Sequence, residues 1–101
     1  NITCQFYKLS HLDIAETPVT DISCLEDLKH LNEVDLFNTP INNIAALKGK
    51  TKMRELNLGF TKIKSISVLK QMVNLQKLDF QFYQNQLQID YRDVRINPIE
   101  I

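Results

Sequence analysis

The sequence predicts an α/β solenoid, in which each coil of chain adds one short strand to a concave sheet and one helical or 3₁₀ turn to the convex side. Two observations predict it. Apolar residues return at the same offsets every twenty-two positions across residues 9–80, and a fixed period of that size marks stacked units that bury their apolar side chains only against one another. Within each period the apolar spacing changes, from the alternation of a half-buried strand to the intervals of three that suit a tight helical turn.

Rows of twenty-two starting at Leu9 make the elements legible in order. The first column reads Leu9, Leu31, Met53, Leu75; the fourth, Leu12, Val34, Leu56, Leu78; the sixth, Ile14, Leu36, Leu58, Phe80. The fourth and sixth alternate with polar positions, which gives each row a short strand. Thr17, Thr39 and Thr61 follow, and their hydroxyls are expected to bond the backbone of the neighbouring coil as a ladder. Pro18 and Pro40 come next, in an extended corner that tolerates a missing N–H. Val19, Ile41 and Ile63 return the chain to the core. Asp21, Asn43 and Ser65 then precede Ile22, Ile44 and Ile66, and their side-chain oxygens suit the capping of a free backbone N–H. Ile22, Leu25 and Leu28 run at a spacing of three, as a turn or two of 3₁₀ or α-helix requires. In the second row Gly49-Lys50 interrupts this pattern, since Lys50 stands where Leu28 and Met72 stand elsewhere. The expectation is a loosened outer segment, with the lysine stem over the core and its ammonium in water.

The pattern Leu-x-x-Leu-x-Leu-x-x-Thr-x-Ile-x-x-Ile-x-x-Leu resembles the leucine-rich repeat of the bacterial internalin-like and SDS22-like class, with Thr where that class more often has Asn. The resemblance implies a right-handed coil with a parallel sheet on the concave face. Residues 9–30, 31–52 and 53–74 are then full repeats, 75–80 a partial one, and 1–8 the tail of a preceding or truncated repeat. Beyond Phe80 the register would place Asn85, Gln88 and Tyr91 in core columns, so the repeat stops. Leu87, Ile89 and Tyr91 alternate instead, and Val94, Ile96, Ile99 and Ile101 follow, which predicts a β-rich C-terminal cap over 81–101, turning near Gln84-Asn85. A solenoid end needs such a cover.

Composition limits the function. Lys plus Arg and Asp plus Glu number twelve each in 101 residues, so no overall field draws the chain to nucleic acid or an anionic membrane. No apolar run is long enough to cross a bilayer. The chain opens NITCQFYK with no initiator Met, which points to a processed chain or a piece of a longer one; Asn1-Ile2-Thr3 matches the glycosylation acceptor pattern. Lys48, Lys50, Lys52, Lys62, Lys64 and Lys70 fall on corners and the outer side without interleaved aromatics, the pattern of a solvated surface and not of a nucleic-acid site.

Catalytic and metal chemistry find little support. No nucleophile motif or glycine-rich phosphate loop is present, and a carboxylate stripe open to water offers no desolvated site for a general acid. Cys4, His11, Cys24 and His30 are ligand types for zinc, but the register separates His11 on the concave face from Cys24 on the outer segment, so no metal and no cofactor is expected. Cys24 shares a column with Ala46 and Val68 and reads as a small buried hydrophobe. A bridge to Cys4 is disfavoured because the two columns differ by two positions.

The concave face is where function is expected. The outward positions of the strands read His11, Glu33, Glu55, Lys77 in the third column and Asp13, Asp35, Asn57, Asp79 in the fifth. Phe37, Phe60 and Phe82 border this acidic stripe, and aromatics beside carboxylates suit a patch that binds a protein with a basic surface. The candidate contact residues are therefore His11, Asp13, Glu33, Asp35, Phe37, Glu55, Asn57, Phe60, Asp79 and Phe82. Two other readings stay open: a structural scaffold or spacer within a larger chain, and the substrate-recognition part of an enzyme or effector whose catalytic domain lies elsewhere. Domains of the resembling class occur on bacterial surface adhesins, in secreted effectors and as targeting subunits inside cells, so partner and compartment are left undetermined.

Overall fold

A computed structural model describes residues 4, 5 and 8–80. Four strands, β1 (His11–Asp13), β2 (Glu33–Asp35), β3 (Glu55–Asn57) and β4 (Lys77–Asp79), alternate with three 3₁₀ turns, η1 (Ser23–Asp27), η2 (Ala45–Leu47) and η3 (Ser67–Gln71). The strands pair in parallel and in chain order. Their register is the sequence period itself: Leu12 stands opposite Val34, Val34 opposite Leu56, and Leu56 opposite Leu78. This is a leucine-rich-repeat solenoid, with strands on one side and 3₁₀ turns on the other. The expected cap over 81–101, together with Phe82, lies outside the described residues.

The columns form the core. Leu36 and Leu58 behind the strands, Ile41 and Ile63 at the corners, and Leu25, Leu47 and Leu69 in the 3₁₀ turns are all buried. They belong to one continuous cluster, and a single coil would leave them in water. Leu9, Leu12, Ile14 and Val19 of the first coil are only partly buried.

Backbone groups join the coils. The N–H groups of Asn32 and Glu33 both donate to the Ser10 carbonyl, those of Arg54 and Glu55 to Asn32, and those of Gln76 and Lys77 to Arg54. Past the strands, Glu16 N–H donates to Phe37 O and Asn38 N–H to Gly59 O, each at 2.8 Å. The threonine column is not part of this ladder, contrary to the expectation from sequence. Thr17, Thr39 and Thr61 instead donate to the carbonyls of Ile14, Leu36 and Leu58, three residues back in their own coil. The strands already pair the inter-coil donors and acceptors, and a short hydroxyl side chain reaches its own preceding turn most easily.

At the convex side, Asp21, Asn43 and Ser65 accept from the N–H groups of Ser23, Ala45 and Ser67. The expected capping oxygen is thus supplied, one position before the nominal cap residues Ile22, Ile44 and Ile66. The donation from Ser23 holds the Asp21 carboxyl below its ordinary range.

Two expectations are corrected here. Cys4 and Cys24 form a disulfide, with Cα atoms 5.7 Å apart, so Cys24 is half of a cystine and not a free hydrophobe. Counting columns assumed that the chain before Leu9 keeps the repeat register; the observed separation shows that it need not. Lys50 is buried, and its ammonium is not in water: Nζ donates to the Leu28 carbonyl at 3.0 Å and lies 3.4 Å from that of Glu26. The stem runs down its column and delivers the charge to carbonyls at the end of η1, where Glu26 O also accepts from Lys29 Nζ, and which only the adjacent coil brings within reach.

Burial, and second the charge of Lys29, hold the Lys50 pKa below its ordinary value of 10.5. The unfolded chain therefore binds this proton more tightly than the folded one, and the charged lysine weakens the fold at neutral pH. Stability from this group should rise as pH climbs from the lowered folded value to 10.5. Lys50→Met, the residue of this column in the third coil, is expected to raise the thermal midpoint at pH 7 and to flatten that rise. Melts of both proteins across the alkaline range check it.

Candidate functional site

The concave face is built by the outward positions of four three-residue strands. Parallel register sets His11 beside Glu33, Glu33 beside Glu55, and Glu55 beside Lys77; it likewise sets Asp13, Asp35, Asn57 and Asp79 side by side. These residues line one open groove of about 430 Å³. Like charges one strand spacing apart repel, so the face carries stored electrostatic work. Part of it is relieved at the edges. Glu55 has Lys77 as its neighbour, and His11 Nε2 lies 3.2 Å from Glu33 Oε1, while its Nδ1 is 2.7 Å from Ser10 Oγ.

The aspartate column has a second role that the sequence reading missed. Asp13 Oδ1 accepts the Ala15 N–H, Asp35 Oδ1 the Phe37 N–H and Asn57 Oδ1 the Gly59 N–H. Each is an Asx turn that bends the chain off the strand. It leads into a residue in the left-handed region: Glu16 at φ 58°, Asn38 at 54° and Phe60 at 51°. The signal was in the sequence, because Asn57 keeps the acceptor of the column while dropping its charge. Asp79 Oδ1 is buried and has no hydrogen-bond partner among the described residues. Asp13 and Asp35 therefore serve the corner whatever else they do. Asp35→Ala should lower stability by about 1 kcal/mol through loss of that acceptor, and Asp35→Asn by much less; urea unfolding of the two variants decides.

Phe37 and Phe60 are half-buried and meet edge to face, with ring centroids 5.7 Å apart. They pack on each other and remain partly open at the rim of the acidic groove. Gly59 makes room for this pair: a Cβ there would lie 3.0 Å from the Phe37 ring and 3.1 Å from Asn57 Oδ1. His11, Asp13, Glu33, Asp35, Glu55, Asn57 and Asp79 thus share one face with the two aromatics at its border. Lys77 lines the same groove, and Ser10 contacts His11 at its edge; neither was among the expected contact residues. Among the described residues no cluster of three His, Cys, Asp or Glu side chains is placed to hold a metal ion. No helix of the described residues is long and apolar enough to cross a membrane.

No family model matches the sequence, and no curated protein matches it. Solved structures do. Internalin C2 from Listeria monocytogenes is similar over 93% of this chain, with a TM-score of 0.73 and 20% identity, and a second internalin of that organism, inlF, over 94% with a TM-score of 0.51 and 19% identity. The likeness at this identity is one of fold, a leucine-rich-repeat solenoid. The chain spans 52% of the first neighbour and 36% of the second.

Proposed function

We propose that this leucine-rich-repeat solenoid is a protein-recognition module whose concave face binds a partner presenting a basic surface. The fold suggests protein contacts; the observation that supports this face is the register of Glu33 with Glu55, beside the Asp35–Asn57 pair, with the Phe37–Phe60 pair next along the chain. Glu33 and Glu55 accept no corner N–H as Asp13 and Asp35 do, and beyond their neighbours His11 and Lys77 they face what meets the groove. A basic partner would relieve their repulsion, and the half-open rings would give it an apolar anchor.

A spacer role is the second reading, and the Asx turns favour it, since they account for Asp13 and Asp35 by structure alone. An isosteric variant separates the two. Glu33→Gln, Glu55→Gln and Asp35→Asn together remove charge but keep shape and the corner acceptor. The binding reading expects at least tenfold weaker capture of a partner photo-cross-linked to this face, with a melting midpoint no lower than that of the parent chain. Equal capture by the variant would leave the spacer reading standing.

A further inference from the structure

We infer that the convex side carries a second site, a cationic groove between the second and third coils that binds a sugar bearing two or more sulfate or phosphate groups. Lys48, Lys64 and Lys70 line it together with Asn43, Ser67 and Val68, around a volume of about 590 Å³. Pockets for small ligands span roughly 300–1,000 Å³. The outer turns of the second and third coils pack less closely than those of the first and second, which leaves the recess between them.

Charge identifies the ligand class. No carboxylate lines this groove, whereas the adjoining one between the first and second coils contains Asp21 and Glu26 and no lysine. In a chain with twelve bases and twelve acids, such sorting gives one recess a positive field and its neighbour a negative one. The ammonium groups of Lys48 and Lys64 act as compact point charges with three donors each, suited to separate oxyanions held at a distance from one another. The oxygen of Asn43 is engaged by the Ala45 N–H, which leaves its NH₂ to donate to a hydroxyl or ester oxygen. The half-buried Val68 gives an apolar patch against which a sugar ring can lie. The groove has no aromatic platform on which a base would stack, which favours a sugar over a nucleic acid. This site is independent of the concave-face reading.

The test is calorimetric titration of the 101-residue chain with a heparin tetrasaccharide and, separately, with inositol hexakisphosphate, using an uncharged tetrasaccharide as control. At least one charged ligand should bind, more weakly as salt rises. Lys48→Ala with Lys64→Ala should weaken it at least tenfold, whereas Lys52→Ala with Lys62→Ala, exposed but outside the groove, should change it less than twofold. Binding of one ligand alone identifies the source as sulfated or phosphorylated; binding of both means that charge alone is read. Amide shifts in the unmodified chain should centre on Asn43 and Ser67, a readout that needs no variant. Failure of both ligands to bind, equal loss in the two variants, or shifts centred elsewhere would overturn the proposal.

Discussion

Leu56→Ala is expected to destabilise the solenoid by about 2–5 kcal/mol, the range for truncating a leucine in a packed core. Leu56 is 2% exposed and sits at the middle of the sheet, with Val34 on one side and Leu78 on the other. Neither neighbour can move into the hole without breaking the register of its own strand, so relaxation is limited and the upper half of the range applies. Leu12→Ala makes the comparison: it occupies the same column but is only partly buried in the first coil, and should cost clearly less. Urea unfolding measures both. Equal losses would mean that the coils do not share a continuous core.

The second large effect is expected from the disulfide. Cys4 and Cys24 are twenty residues apart in sequence, and closing a loop of that order is worth about 3 kcal/mol through the unfolded chain. Cys24 lies within η1, so the bridge fastens the entering chain to the outer turn of the first coil, whose residues Leu9, Leu12, Ile14 and Val19 are only partly buried. Reduction, or Cys4→Ser with Cys24→Ala, should lower stability by about 2–4 kcal/mol. Thermal melts with and without dithiothreitol test this, and two titratable thiols in the unreduced chain would contradict it. A cystine with this role keeps its contribution where thiols are oxidised.

Much of the fold was legible because a repeat states the same constraint several times. A single Leu at position 56 says little; Leu12, Val34, Leu56 and Leu78 at one spacing require strands that stack. The candidate face was legible for the same reason, since alternation in a strand fixes which residues point outward. What escaped were contacts made by individual atoms. The Thr hydroxyls turn back to their own coil, Lys50 reaches the carbonyls of the coil before it, and the aspartates close the corners; in each case several partners lay within reach. The Cys4–Cys24 bridge escaped because it starts outside the repeat.

By itself, then, the sequence determined the period, the inward and outward positions and the parallel order of coils, because burying apolar area depends on spacing and not on atomic detail. Only the tertiary structure decided the pairing of the cysteines, the partners of Lys50 and the threonines, and the grouping of Lys48, Lys64 and Lys70 around one recess. Those depend on distances between atoms across and within coils, which a linear spacing does not carry.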